Sequence, residues 1–483
     1  MNFGSRHTHF CLRLLVLTIC LGTSLGVHAQ VWKHAVSFGS TGSDVGATVK
    51  INPAGDRYLT GYFSGTVTIA HNTLVSAGDT DVFLGKQGHW GLQIGGASHD
   101  EGSDIAFDAA GNVYLTGWFT DSAAFHSTDG SVVSVTGNSE TIFLAKYSPS
   151  GVLAWVQTGA VSSVSINRGH GVAVDASGGA VFLTGISQGT TDFSSSDGST
   201  NSVPGPGTWH MYLVKYTTDG NFQWGEWNEA APNSIPHKVA VDASGSAYVT
   251  GWFEGQATFH SIDGNDQTVI GLSQPVQSAP DYPDDCFVVK YDRDGNLKWV
   301  NDIGGYKAIT NDIAVSSAGE VSVTGFIGNI NGTAQQQETL VSSQLPGSTI
   351  NLGGGHFTTP YNRDIIVATY DSSGVALNAL RIGGINQEEA GGIVYSGTDL
   401  YVSGFLEGTG NLFIAKITGG ALDWMKRDAG PITGGLETLP RIAVNPQGTI
   451  VAIGAFLNTA TFGPFTLQSH GAEDVFLSDL AVP

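Results

Sequence analysis

The chain has 483 residues, with 42 acidic against 20 basic side chains and a formal net charge of −22. That balance excludes nucleic acid and anionic membrane surfaces as partners, because the protein's own field repels them. Glycine is abundant at 67 residues while aromatic residues still make up 10%, which excludes a disordered chain and makes the glycines turn positions rather than linker.

In chain order, residues 1–29 read as a signal peptide. Arg6 and Arg13 precede an apolar run, Leu14 to Leu21, that is too short to span a bilayer, and Val27-His28-Ala29 has the small-residue spacing of a cleavage site. Bulky Ile19 before Cys20 argues against lipidation. Cleavage removes two arginines and no acids, which takes the charge from −22 to −24. Only Cys286 then remains, so no internal disulfide is expected and stability must come from burial and closure of the fold. No later apolar run is long enough to cross a membrane.

Residues 30–483 exceed the usual size of a single core, a limit that a repeat array escapes because each unit packs only on its neighbours. The repeat is clearest at Phe107-Asp108-Ala109-Ala110-Gly111-Asn112-Val113-Tyr114-Leu115-Thr116-Gly117-Trp118-Phe119. Its shared glycine recurs at Gly61, Gly117, Gly185, Gly251, Gly325, Gly404 and Gly454, at intervals of 50 to 79 residues. Each unit predicts four short strands. The first alternates bulky residues with alanine, as in Asp104-Ile105-Ala106-Phe107 and Lys238-Val239-Ala240-Val241. Asp108 to Gly111 and Asp242 to Gly245 form a type I turn, with the acid first and glycine fourth. Strand two is β-branched and aromatic, as in Val113 to Thr116. Strand three ends Lys146-Tyr147 or Lys290-Tyr291, and strand four carries Trp155, Trp224, Trp299 or Trp424. The end of the chain, Asp474 to Leu477, reads as a third strand, and Val31 to Val36 as a fourth with nothing before it. Joining the two closes the ring and removes an exposed edge. The expected fold is all-β, a seven-bladed β-propeller of four-stranded antiparallel blades closed by the N-terminal strand.

The combination Asp-x-x-Gly-Asn-x-Tyr-x-Thr-Gly-x-Phe, Phe-x-Ala-Lys-Tyr and Gly-x-x-x-Trp resembles the SBBP-type (seven-bladed β-propeller) repeats of secreted bacterial proteins, over nearly all of residues 31–483. The resemblance implies a fold. It brings no catalytic motif that can be transferred.

Connections after strands two and four share one face of the disc and vary in length, so binding residues are expected there. Around the axial mouth the strand four-to-one connections offer Asp100, Asp104, Arg168, His170, Trp227, His237, Tyr306, Asp312, Glu388, Glu389 and Arg441 as ligand-binding candidates. His99, His170 and His237 recur at comparable loop positions, yet no spacing supports a metal centre. Asp292-Arg293-Asp294-Gly295-Asn296 resembles the opening of a calcium loop but lacks the later glutamate, so calcium is weakly supported and no cofactor is expected. No nucleophile elbow or phosphate-binding loop is present. These features predict an exported, monomeric, non-catalytic binding or scaffold propeller, secreted or at the cell envelope, with a carbohydrate or protein ligand. The alternative is a glycoside hydrolase or lyase using Asp100, Asp104, Asp312, Glu388 and Glu389 at the mouth, which needs two carboxylates about 5–10 Å apart. A quinone-dependent dehydrogenase is disfavoured, since such enzymes usually have eight blades and paired cysteines.

Overall fold

A computed structural model describes residues 30–161, 166–175, 179–271, 284–304, 307–329, 339–341, 349–351, 362–383, 387–406, 411–427 and 439–482. The expected leader, Tyr306, and most of the insertions at 272–283 and 330–361 lie outside the described residues.

The described residues form antiparallel β-sheet, and the same four-strand meander recurs along the chain. The second unit is Glu101–Phe107, Val113–His126, Val132–Tyr147 and Leu153–Val161. The fourth is Ser234–Val241, Ala247–Glu254, Asp284–Tyr291 and Leu297–Gly304. The last runs Arg441–Val444, Thr449–Phe462 and Phe465–Ala481, and its fourth strand is Val31–Phe38, paired from Val31↔Ala481 to Phe38↔Val475. First strands pack one on the next. Val45–Ile51 meets Glu101–Phe107, which meets Arg168–Val174, then Ser234–Val241, Lys307–Val315, Glu388–Ser396 and Arg441–Val444, and the last of these meets Val45–Ile51. Bulky side chains from adjacent sheets fill the space between them. Phe182, Leu213, Val249 and Phe287, for example, share one cluster from two consecutive units.

The repeated residues have identifiable roles. Asp108 Oδ1 accepts the amides of Ala110 (3.0 Å) and Asn112 (2.9 Å), and Gly111 closes the turn with φ +80°. These acids are turn formers and their lone pairs are engaged within the turn. The same holds for Asp292, whose carboxylate takes the amides of Asp294 and Asn296 and the Lys298 ammonium. The lysine of strand three and the tryptophan of strand four grip one carbonyl in the next unit. Lys146 Nζ and Trp155 Nε1 donate to Thr218 O at 2.8 and 3.2 Å, and Lys290 Nζ and Trp299 Nε1 donate to Ser372 O at 2.9 and 3.2 Å. The signature is therefore a clasp between units.

The connections from strand two to strand three vary in length, as the sequence shows. Where described, several are hairpins that cross to the preceding unit. Thr191–Ser194 pairs with Leu153–Val161 through Gly159↔Phe193, and Gln256–Phe259 pairs with Phe222–Ala231 through Asn228↔Phe259. In the second unit the extended strands bring Phe125 opposite Ile94. An outer strand left bare would expose unpaired backbone groups, and these hairpins cover it.

Candidate functional site

The repeat glycine shapes the centre of the molecule. A methyl group on Gly117 or Gly251 would collide with the carbonyl oxygen of Glu101 or Ile235 in the neighbouring first strand. That close approach accompanies a β-bulge in the first strand. The register slips between Gly46 and Thr48, Gly102 and Asp104, Gly169 and Gly171, Pro236 and Lys238, Thr310 and Asp312, and Ala390 and Gly392. The residues skipped are Ala47, Ser103, His170, His237, Asn311 and Gly391. A bulge re-aims a side chain, and the first five of these line one central cavity of about 330 Å³.

Three of the bulged side chains are tied tangentially, each to the unit ahead. His170 Nδ1 lies 2.7 Å from Pro236 O, His237 Nδ1 lies 2.7 Å from Thr310 O, and Asn311 Nδ2 donates to Ala390 O at 2.9 Å. A carbonyl oxygen only accepts, so each Nδ1 carries the hydrogen and each Nε2 keeps its lone pair. Burial pushes His170 down to about 4 and His237 down to about 3, so both imidazoles are neutral at pH 7. Their rings stand 6.5 Å apart.

Directly beneath is a layer of charge. Asp104, Lys238 and Asp312 stand at the next ladder position after the bulge, and Arg441 opens the first strand of the last unit opposite Ile453. Lys238 Nζ is 3.2 Å from Asp104 Oδ2 and donates to Ser103 O (3.1 Å) and His170 O (3.0 Å). A side chain at Gly171 would press on the backbone of Lys238 and Val239, so the glycine lets these two first strands lie close together. Arg441 Nη1 donates to Asn311 O (3.1 Å) and to Gly391 O, and lies 3.6 Å from Asp312 Oδ2. Burial opposes the charge of Asp104, yet Lys238 and Lys50 beside it hold the carboxyl below its usual range; burial pulls Lys238 down to about 8.

The walls above are aromatic and aliphatic: Tyr62, Trp118, Trp209, Trp252, Ile186 and Ile235. Tyr62, Trp118, Ile186 and Trp252 each follow the repeat glycine, so one sequence position supplies most of the wall. At the rim the Arg168 guanidinium lies 4.4 Å over the Trp118 ring and is held by Glu140 at 2.9 and 2.7 Å. His99 packs on Trp118 at 5.0 Å and bonds Glu101 at 2.6 Å.

Of the residues singled out from sequence, the structure brings Arg168, His170, His237 and Arg441 to this cavity, with Asp104 and Asp312 in the layer below. Others lie elsewhere. Trp227 is stacked on His260 at 4.0 Å, away from the cavity lining, because its strand turns that face toward the covering hairpin. Asp100 accepts the amides of Gly96 (2.7 Å) and Thr120 (2.9 Å) as a loop staple, and burial pushes it up to about 7. Glu389 is held by Arg363, and Glu388 is buried beside it. Tyr306 is outside the described residues. His99 is not equivalent to His170 and His237: Ser103 occupies the bulge of its unit. Asp104 and Asp312 also accept the amides of Val172 (3.3 Å) and Ile393 (3.0 Å), so each has a structural duty in the next unit. Among the described residues no group of three or more His, Cys, Asp or Glu converges as a metal site, and no helix is long and apolar enough to cross a membrane.

Residues 89–118 match the SBBP family model, described as a β-propeller repeat. The chain carries a β-propeller repeat. It is 22% identical over 328 residues to the uncharacterized WD repeat-containing protein L264 of Acanthamoeba polyphaga mimivirus; the match covers 56% of this chain and 23% of that protein's length. Among solved structures, the Dos1 propeller aligns with a TM-score of 0.43 at 9% identity, covering 93% of this chain and 95% of that one. A streptogramin B lyase aligns with a TM-score of 0.38 at 9% identity, covering 93% and 98%.

Proposed function

We propose that the protein is an exported, seven-bladed, non-catalytic binding propeller that acts at the cell envelope and holds part of a carbohydrate or protein ligand in the central cavity. The observation that carries this reading is the cavity itself. It is concave and mostly apolar, with a few convergent polar groups at the floor, at the small end of the size range of ligand sites. Trp252 and Trp209 offer half-buried aromatic surface to a sugar ring or an apolar side chain, and the Nε2 atoms of His170 and His237 accept hydrogen bonds from it. Seven blades are supported by the cycle of first strands and by Val31–Phe38 completing the last sheet. A binding role is preferred to hydrolysis because Asp104 and Asp312 are committed to Lys238, Arg441 and backbone amides. Screening chain 30–483 on glycan and peptide arrays, with hits followed over time, tests the reading. Retention without product release is expected; turnover would show a catalytic site instead.

A further inference from the structure

The charge of the central cavity runs against that of the molecule. In a protein with more than twice as many acids as bases, Lys50, Lys238 and Arg441 gather at the centre, against Asp104 and Asp312. Their availability differs. All three hydrogens of Lys238 Nζ are taken by Asp104, Ser103 O and His170 O. Arg441 directs only Nη1 to the carbonyls of Asn311 and Gly391. Among the described residues Nε and Nη2 donate to nothing, and Arg441 lines both the cavity and the smaller space below it. A guanidinium with an open edge in a concave site fits a planar carboxylate, which it can hold through two parallel bonds. The net negative charge of the rest of the surface does not cancel this. At physiological ionic strength charges more than about 8 Å away are largely screened, whereas the guanidinium would touch its ligand.

The remaining groups specify what accompanies the carboxylate. Two fixed imidazole acceptors, the Ser103 side chain and a half-buried Trp252 suit a ring that bears hydroxyl donors and an apolar face. A cation is disfavoured, because Arg168, Lys238 and Arg441 line the same space while the only acidic liner, Glu101, is bonded to His99. A cavity of about 330 Å³ admits one or two such rings. We propose that the central cavity recognises a carboxylated sugar residue, a hexuronate, with its carboxylate on Arg441 and its hydroxyls on His170 and His237. This rests on the reading of the cavity as a ligand site.

Trp118, Trp209 and Trp252 line the cavity, so tryptophan emission and titration calorimetry both report on it. The unaltered protein is titrated with galacturonate or glucuronate, the matching uronamides, and the neutral hexoses. The expected result is that the uronate binds about tenfold or more tightly than the uronamide or hexose, since a charge-assisted pair is replaced by a neutral contact. Arg441→Gln should level that preference, and Arg441→Lys should restore part of it. Because Arg441 also supports two carbonyls, a failure of Arg441→Gln to fold leaves the uronate–uronamide comparison on the unaltered chain to decide. A parallel arm uses a trimeric uronide: tighter binding of the trimer assigns a polysaccharide end, and equal or weaker binding assigns the free acid. Equal affinity for uronate, uronamide and hexose would overturn carboxylate recognition and leave the ligand site standing. Silence with every sugar would overturn the carbohydrate reading as well, leaving a protein ligand.

Discussion

His170 and His237 owe their orientation to residues that never touch the cavity. Gly185 and Gly251 admit the carbonyls of Arg168 and Ile235, and the first strand bulges beside them. Gly251→Ala should therefore cost about 2 kcal/mol or more, through overpacking of backbone against backbone, and weaken ligand binding with it; chemical denaturation and a binding titration check both effects. The imidazoles give a second test. Their pKa values lie below that of an unfolded histidine, so the unfolded chain takes up protons first as pH falls. Their contribution to stability is complete above about pH 6.5 and declines as pH drops toward 4. Imidazole signals followed by NMR should not titrate between pH 8 and 5.5. Glu226 shows the opposite sign. It is 4% exposed, and burial pushes its carboxyl up to about 8. The folded state holds its proton while the unfolded state loses it near 4.5, so the group costs stability as pH rises. Glu226→Gln should be nearly neutral at pH 4.5 and stabilising by roughly 2–4 kcal/mol at pH 8.5.

At the scale of the element, the clasp between units explains why lysine and tryptophan travel together in the repeat. Trp299→Phe removes one hydrogen bond to Ser372 O and should cost about 1 kcal/mol, while Trp299→Ala also empties packed volume and should cost about 3–5 kcal/mol. Thermal or urea unfolding of the pair separates the two terms. Strands and turns were legible in the sequence because they repeat with fixed spacing, whereas the carbonyl that the recurring lysine and tryptophan share lies in the next unit and has no mark beside them. Asp108 and Gly111, Lys146 and Trp155 recur wherever the same turn and the same carbonyl must be met. The centre was harder to read. A bulge inserts one residue and turns its side chain onto a new face, so period-two alternation does not say that Ser103, His170, His237 and Asn311 share a layer. The available signal was the position after the repeat glycine, aromatic at Tyr62, Trp118 and Trp252. Trp227 drew attention as an aromatic near a connection, but its environment is set by His260 on a hairpin whose pairing with the preceding unit has no local mark in the sequence.

For the whole molecule, the first strands supply both the packing of the units and the bulged residues that line the cavity, so stability and binding are coupled. Under the proposed closure, Val31–Phe38 covers the edge of Phe465–Ala481, with Trp32 buried against Phe462 at 5.2 Å. Deleting residues 31–38 should lower Tm by several degrees or more and promote aggregation that grows with protein concentration, as a bared edge strand does. Scanning calorimetry with light scattering reads both. The central claim, that ligand is held inside the ring of bulges rather than on the outer hairpins, is tested most directly by measuring affinity for an array-identified ligand in Trp252→Ala and Trp227→Ala side by side. The account predicts about a tenfold or greater loss for Trp252→Ala and little change for Trp227→Ala. The reverse pattern would contradict it and move the site to the outer surface around His260.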